Sequence, residues 1–386
     1  MDRPSAIAAA AAIYAAAITL PNVMPALLGM FADGLGLNPT QLGIVGAAFP
    51  TGLGLMALSS FAWVRRVDWR ICTASGLMLL AMAVGLQARC TGFYPLVALM
   101  GVAGLGAGLA ASPSIAALGD SRDPQRSFGV MIFLSVLLPA GVLASIPAVI
   151  RTLGHGGVFL GIGALFGLCA LFAVFIPRTG QPATPAGTAD APAGRMIGPL
   201  VASLSCMVLF AAGYIAAWNF LERIGDASAI AHEQNLDALA LGGLVGGLGG
   251  FVAQFLARSM TLRTSFLLAI GFTVLTLGLL ELIPLTVTAY LLVATSFQLW
   301  VNVNFSNILT FIASEDREGS AVALIPGLQC LGAAAGSIVA GAAFDHAGRT
   351  GVVVVGVSAF LLCATVMTAG FRAGPLRPRR AARHAR

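Results

Sequence analysis

Three residues suited to binding an organic molecule recur at four-residue intervals in one apolar stretch. Tyr214, Trp218 and Glu222 would lie on the same face of a helix. Two ring faces leading to a carboxylate suit an amphipathic or cationic ligand. Asn219, next to Trp218, adds an amide to this group. The alternative is that Trp218 belongs to an interfacial aromatic belt and that Glu222 pairs with an arginine.

A second group consists of uncharged amides between residues 298 and 307. The helical period places Gln298 and Asn302 on one face, and Asn304 and Asn307 on another. One face is expected to line a cavity while the other bonds neighbouring helices, because polar groups in lipid need partners. We therefore expect at least one of these asparagines to contact a ligand.

Two further polar residues stand near the first apolar run. Asn22 follows Pro21, and proline removes a backbone donor, so Asn22 either faces a cavity or bonds a freed carbonyl. Asp33 lies just beyond the end of that run, as Glu222 lies near the end of another. These two carboxylates are the candidates for carrying protons.

The sequence lacks the patterns of an enzyme. Its histidines and its 6 cysteines have no metal-binding or redox spacing, and no phosphate-binding loop is present. We therefore expect no metal, no cofactor and no direct use of ATP. The net charge of +6 and the basic tail favour an anchor near anionic lipid over a site for nucleic acid.

The elements that must position these groups are membrane helices. The chain is 58% hydrophobic and 9% charged, with a mean hydropathy of +0.92, which is far from a soluble composition. Apolar runs of roughly 20 residues, the length of a membrane crossing, alternate with charged loops. They predict an all-α integral membrane protein with twelve spans: 6–31, 42–64, 71–90, 94–118, 128–150, 157–177, 197–221, 237–257, 264–284, 287–312, 320–344 and 351–371.

The twelve predicted spans divide into two pseudo-symmetric halves. A stretch rich in Pro, Ala, Gly and Thr at 178–196 separates a six-helix bundle at 1–177 from a second one at 197–372, and a basic tail occupies 373–386. Most arginines fall in loops on one side of this topology, so that side and both termini are expected to be cytoplasmic.

This arrangement resembles the major facilitator superfamily. The resemblance rests on the six-plus-six topology, the central linker and the basic loops after the second and eighth spans. In the first of these loops Arg66 and Arg70 match the family's signature, whereas Arg65 stands where an acidic residue belongs and Asp68 is displaced. The resemblance implies a cytoplasmic gate formed by Arg65, Arg66, Asp68, Arg70, Arg258 and Arg263.

The resemblance also implies a central cavity lined by the first, fourth, seventh and tenth helices. The expected substrate-binding residues are Asn22, Tyr214, Trp218, Asn219, Gln298, Asn302, Asn304 and Asn307. Since no fixed charge lies deep in these helices, the expected substrate is a small neutral, amphipathic or weakly cationic molecule.

The functional prediction is a secondary transporter that works by alternating access, as a monomer in the bacterial inner membrane. Proton-coupled efflux is one mode that the sequence allows. An uncoupled facilitator, an uptake permease and a transporter-like sensor that no longer transports are the alternatives.

Overall fold

The computed structural model describes residues 3–179, 197–315 and 320–373. These ranges are helical apart from the connections, and no strand occurs within them, as the all-α prediction requires. The helices are α1 Pro4–Ala17, α2 Thr19–Leu35, α3 Pro39–Trp63, α4 Trp69–Gln87, α5 Phe93–Gly119, α6 Pro124–Ala170, α7 Ile197–Ala227, α8 His232–Gly246, α9 Gly249–Ser259, α10 Leu262–Leu282, α11 Val287–Glu315 and α12 Ser320–Ala373. A short 3-10 helix, Leu171–Phe175, follows α6.

Polar side chains in the connections begin several helices. Asn38, Asp68, Asp123 and Thr261 each accept a hydrogen bond from a backbone amide in the first turn of the following helix. A helix leaves its first backbone N–H groups without internal partners, and these caps satisfy some of them. The local sequence therefore fixes where α3, α4, α6 and α10 start.

Two of the helices are too long for a single membrane crossing. α6 has 47 residues and α12 has 54, which correspond to about 70 and 80 Å, whereas the hydrocarbon core is about 30 Å thick. Each helix contains one residue with non-helical backbone angles, Gly154 (φ 70°) in α6 and Gly348 (φ 57°) in α12. Glycine adopts this left-handed region without steric cost.

The chain folds back on itself at Gly348. A methyl group on Gly351 would overlap the carbonyl oxygen of Ala343, eight residues earlier. In a continuous helix these two residues would be about 12 Å apart. The contact therefore requires the two parts of α12 to form a hairpin, and each part contains one predicted span.

Eight helical segments in the described ranges are long and apolar enough to cross a membrane, with α1 and α2 counted together as one. The number becomes nine if α8 and α9, which meet at an angle of 40°, are counted as one broken span. Since α6 and α12 count once each in this total, the predicted number of twelve spans stays a prediction. The predicted linker and tail fall mainly outside the described residues, so the domain boundaries also stay predictions.

Glycines let the helices pack backbone against backbone. Gly104 of α5 lies against Phe49 and Leu53 of α3, and Gly336 of α12 lies against Ala212 of α7. Without a hydrophobic driving force between helices in lipid, such close packing supplies much of the attraction. Gly332 and Gly336 of the predicted eleventh span thus contact α7, within the same half of the chain.

A seam between α3 and α12 joins the two halves of the chain. Gly43 packs against Gly341, Gly46 against Ser337, and Gly54 against Cys330. The α3 residue number rises along this series while the α12 number falls, so the helices run antiparallel. We call this contact the α3–α12 seam.

Candidate functional site

A cavity of about 90 Å³ lies between the two halves of the chain. Its walls come from α2 and α6 of the first half and from α7, α8 and α11 of the second. The polar lining residues are Asn22, Ser135, Tyr214, Trp218, Gln298 and Asn302, and the remaining lining residues are aliphatic, proline or glycine. No charged side chain is among them.

Tyr214 and Trp218 form an aromatic wall of this cavity. The two rings stack with centroids 6.4 Å apart and planes 25° apart, because a spacing of four residues superposes them on one face of α7. Trp218 is buried, and its indole N–H donates to the carbonyl oxygen of Pro21 at 3.2 Å. The aromatic wall therefore also contacts the first half of the chain.

Amides supply the polar part of the cavity. Asn22 lies on α2, and its amide nitrogen donates to the carbonyl oxygen of Ile18 at 2.9 Å. On α11 the amide nitrogen of Asn302 donates to the carbonyl oxygen of Gln298, also at 2.9 Å. Gln298 and Asn302 share the face of α11 that the helical period predicts, and both line the cavity.

The structure places three other predicted substrate residues away from this cavity. Asn219 donates to the hydroxyl of Ser337 at 2.9 Å, and Ser337 donates to the carbonyl oxygen of Gly43 at the α3–α12 seam. Asn304 and Asn307 turn to α10, where they bond Thr273 and Ser265 respectively. These amides hold helices together in this conformation, and their contact with a substrate stays a prediction.

Glu222 lies one turn beyond Trp218 and is completely buried. Neither carboxylate oxygen has a hydrogen-bond partner among the described residues, and a methyl group on Gly29 of α2 would overlap the carboxylate. Nδ1 of His232 lies 3.6 Å from Oε1 of this carboxylate. A buried charge without a partner is costly, so this group needs a compensating positive charge or a proton.

Charged residues surround Glu222 at the end of the bundle that contains Asp33, which we call the Asp33 end. Arg223 lies 3.0 Å from Asp33 and 3.9 Å from Asp226. Ligand atoms of Glu222, Asp226 and His232 lie within 4.8 Å of one another, which is close enough to hold a metal ion. The Arg223 guanidinium, which lies close to Asp33 and Asp226, disfavours a further positive charge at this cluster.

Several polar contacts connect the two halves at the Asp33 end. Besides the pair between Asp33 and Arg223, Arg151 of α6 pairs with Glu233 of α8. The hydroxyl of Thr40 donates to Asp345 at 2.7 Å. The two halves are therefore in contact at this end.

Three residues of the predicted cytoplasmic gate, Arg65, Asp68 and Arg70, make contacts within the first half. Arg65 pairs with Asp120 at 2.6 Å, and its guanidinium lies 5.6 Å from the centre of the Trp69 ring. Asp68 caps α4, and Arg70 donates to the carbonyl oxygen of Ile176. Arg66 follows α3, Arg258 lies in the last turn of α9, and Arg263 lies in the first turn of α10. Their role as a gate stays a prediction.

Sequence reasoning missed the contributions of α6 and α8 to the cavity. Ser135, Pro139 and Ala140 of α6 and Gly243 of α8 line it. Ser135 is a single hydroxyl in an apolar run, which is common in membrane helices and carries little signal. The proline at 139 is the only local feature that marks this wall.

Comparisons with known proteins agree with this architecture. Residues 6–337 match the Major Facilitator Superfamily. A bacterial homolog of the human lysosomal transporter Spinster, inward-facing and unoccupied, superposes with a TM-score of 0.73 at 13% identity, over 97% of this chain and 98% of that chain. The nucleoside transporter NupG superposes with a TM-score of 0.73 at 12% identity, over 97% and 100%. A search among curated proteins finds no match. At these identities the structural likeness shows the fold alone.

Proposed function

This chain belongs to the Major Facilitator Superfamily, a family of membrane transporters, and from that premise we propose that it moves a small organic solute by alternating access. The observation that carries the proposal is the cavity between the halves. Its aromatic wall and its amides can bind an organic molecule, while the lack of charge in its lining disfavours a polyanion.

The volume of the cavity supports a conformational cycle. Ligand pockets usually measure about 300–1,000 Å³, and this cavity measures about 90 Å³. A solute of ordinary size therefore enters only after the halves separate. Trp218 bonds Pro21 across the halves, and Asn219 joins the α3–α12 seam through Ser337, so separation at these contacts enlarges the cavity.

The proposal includes the topology predicted from the sequence. The chain has twelve spans when α8 and α9 together form one span and when both parts of α6, both parts of α12 and the helix α11 each cross the membrane. Both termini are then cytoplasmic in a bacterial inner membrane, because most arginines lie on that side. The Asp33 end faces the exterior.

Glu222 is the proposed site of proton coupling. It lies at the Asp33 end, one helical turn from the cavity residue Trp218, and no described residue donates a hydrogen bond to its carboxylate. A proton can neutralise this group while the surrounding helices are closed, and water can accept the proton when they open. Asp33, which is exposed and paired with Arg223, is less suited to this role. The alternative is an uncoupled facilitator. The Glu222→Gln variant distinguishes the two, because it should change proton-driven transport only in a coupled transporter.

Thermal stabilisation by a solute library tests the cavity assignment. A solute that binds the native protein should raise its melting temperature, and Trp218→Ala should abolish this increase. Trp300→Ala is the matched control, because Trp300 stacks on Phe272 at 4.4 Å and does not line the cavity. Equal stabilisation of the native protein and both variants would contradict the assignment.

Transport itself is tested in proteoliposomes that contain the purified protein. A stabilising solute should cross the membrane in the native protein and fail to cross in Trp218→Ala. Imposed proton gradients of either sign then distinguish efflux from uptake. Binding without transport in any gradient would favour a sensor.

A further inference from the structure

We propose that Pro25 is a positioning residue of the transport cycle. It leaves the carbonyl oxygen of Pro21 free to accept a hydrogen bond from Trp218 of the other half, and this bond favours the closed conformation. The inference rests on the proposed function, because it assigns a conformational role to one wall of the same cavity. Its basis is the hydrogen-bond pattern at the start of α2.

Pro25 deprives one backbone carbonyl of α2 of its usual donor. In an α-helix each carbonyl oxygen accepts from the N–H four residues later, and for Pro21 that residue is Pro25. Proline has no backbone N–H. Both residues lie within α2, and Pro25 is buried. The carbonyl of Pro21 therefore needs a donor from outside the α-helical pattern.

Neighbouring carbonyls of this segment receive donors from nearby side chains. The hydroxyl of Thr19 and the amide of Asn22 each donate to the carbonyl oxygen four residues earlier, at 2.8 and 2.9 Å. The residue four positions after Pro21 is Pro25, whose side chain has no donor. The local sequence thus offers Pro21 neither a backbone nor a side-chain donor at this position.

Trp218 supplies the missing donor from the second half of the chain. Its indole nitrogen donates to the carbonyl oxygen of Pro21 at 3.2 Å. Carbonyls that proline frees in membrane helices are satisfied in this way by neighbouring helices. The indole is buried and stacks on Tyr214, and its N–H is its one hydrogen-bonding group.

The bond depends on the approach of the two halves. Pro21 belongs to the first half and Trp218 to the second, so separation of the halves at the cavity breaks the bond and admits water to both groups. A buried carbonyl without a donor is costly, whereas a hydrated one is not. The hydrogen bond is therefore needed only in the closed conformation, and it stabilises that conformation relative to the open one.

Two substitutions test this role, one of which removes the donor while the other restores the helical N–H. Trp218→Phe keeps an aromatic ring and removes the indole N–H, whereas Pro25→Ala returns a backbone N–H to the carbonyl of Pro21. The ratio of open to closed protein is measured without solute by pulsed electron paramagnetic resonance. Spin labels at Gly34→Cys and Ala231→Cys, exposed positions in the two halves, report this ratio after the native cysteines are replaced.

We expect Trp218→Phe to raise the ratio of open to closed protein roughly tenfold, the effect of a buried carbonyl left without a donor. In the Pro25→Ala background the same substitution should change the ratio less than about twofold, because the backbone N–H at position 25 then serves the carbonyl. Pro25→Val also returns this N–H, so the test does not depend on the folding of Pro25→Ala. Pro113→Ala is the matched control, since Pro113 is likewise buried inside a helix, and Trp218→Phe should keep its full effect there.

An unchanged ratio in Trp218→Phe, or an equal rise in the native and Pro25→Ala backgrounds, overturns the proposal. A lower melting temperature of Trp218→Phe without a change in the ratio also overturns it, because a purely structural bond would give that result. The proposed function fails separately, when no solute of the library gives a stabilisation that Trp218→Ala abolishes.

Discussion

The α3–α12 seam provides a direct test of alternating access through the substitution Gly43→Ala. A Cβ atom at Gly43 would lie 2.6 Å from the carbonyl oxygen of Ser337 and 2.9 Å from the Cα of Gly341. Both contacts are with backbone atoms, which cannot rotate away as a side chain does. The two helices must therefore move apart to accept the methyl group.

The size of the effect follows from this geometry. Restoring an ordinary contact of 3.4 Å requires a displacement of about 0.8 Å at this point. Overpacking of this kind costs about 1–3 kcal/mol. If the seam is closed in one conformation and open in the other, the cost falls on the closed one alone. The ratio of open to closed protein should then rise roughly 5- to 150-fold.

Pulsed electron paramagnetic resonance measures this ratio. Spin labels are attached at Gly34→Cys and Ala231→Cys, two exposed positions in different halves at the Asp33 end, after the 6 native cysteines are replaced. Gly271→Ala is the control, since nothing lies within 4 Å of a Cβ at Gly271. We expect a larger population of long distances in Gly43→Ala only. Identical distance distributions in the two variants would refute the reasoning.

Three further predictions concern polar groups at or near the Asp33 end. Glu222→Gln should abolish transport driven by a proton gradient in proteoliposomes and spare solute exchange; unaltered proton-driven transport would exclude the coupling role. Tyr290→Phe should lower the melting temperature, at a cost of about 1–3 kcal/mol, because the buried hydroxyl lies 2.6 Å from the Asn235 amide oxygen. The exposed Tyr94→Phe is its control, and equal melting temperatures would contradict the prediction. Asp33→Asn should change the free energy of unfolding by less than about 1 kcal/mol, because its pair with Arg223 is solvent-exposed, and a larger loss in chemical denaturation would contradict this.

Much of the helical architecture follows from the sequence because the bilayer leaves few alternatives. Every backbone N–H in lipid needs an internal partner, so an apolar run of sufficient length becomes a helix. The predicted boundaries at 150–157 and 344–351 surround the non-helical residues Gly154 and Gly348. The sequence does not reveal that a single glycine breaks each helix, because left-handed glycine angles have no unique local signal.

The cavity was partly predictable, because the spacing of residues along a helix determines which side chains share a face. Helical periodicity places Tyr214 with Trp218 and Gln298 with Asn302, and both pairs line the cavity. Periodicity cannot identify which face of α6 turns inward, so Ser135 was missed. It also cannot show that Asn304 finds Thr273 on a neighbouring helix, because that contact depends on how α10 and α11 pack.

The sequence by itself determined that this chain is a helical membrane protein and that charge is rare within its apolar runs, since hydropathy is a local property of consecutive residues. The tertiary structure decided which polar groups meet. It brought Glu222 of α7 against Gly29 of α2, and it turned Asn304 of α11 to Thr273 of α10. Such contacts join residues that are distant in sequence, so no local property of consecutive residues predicts them.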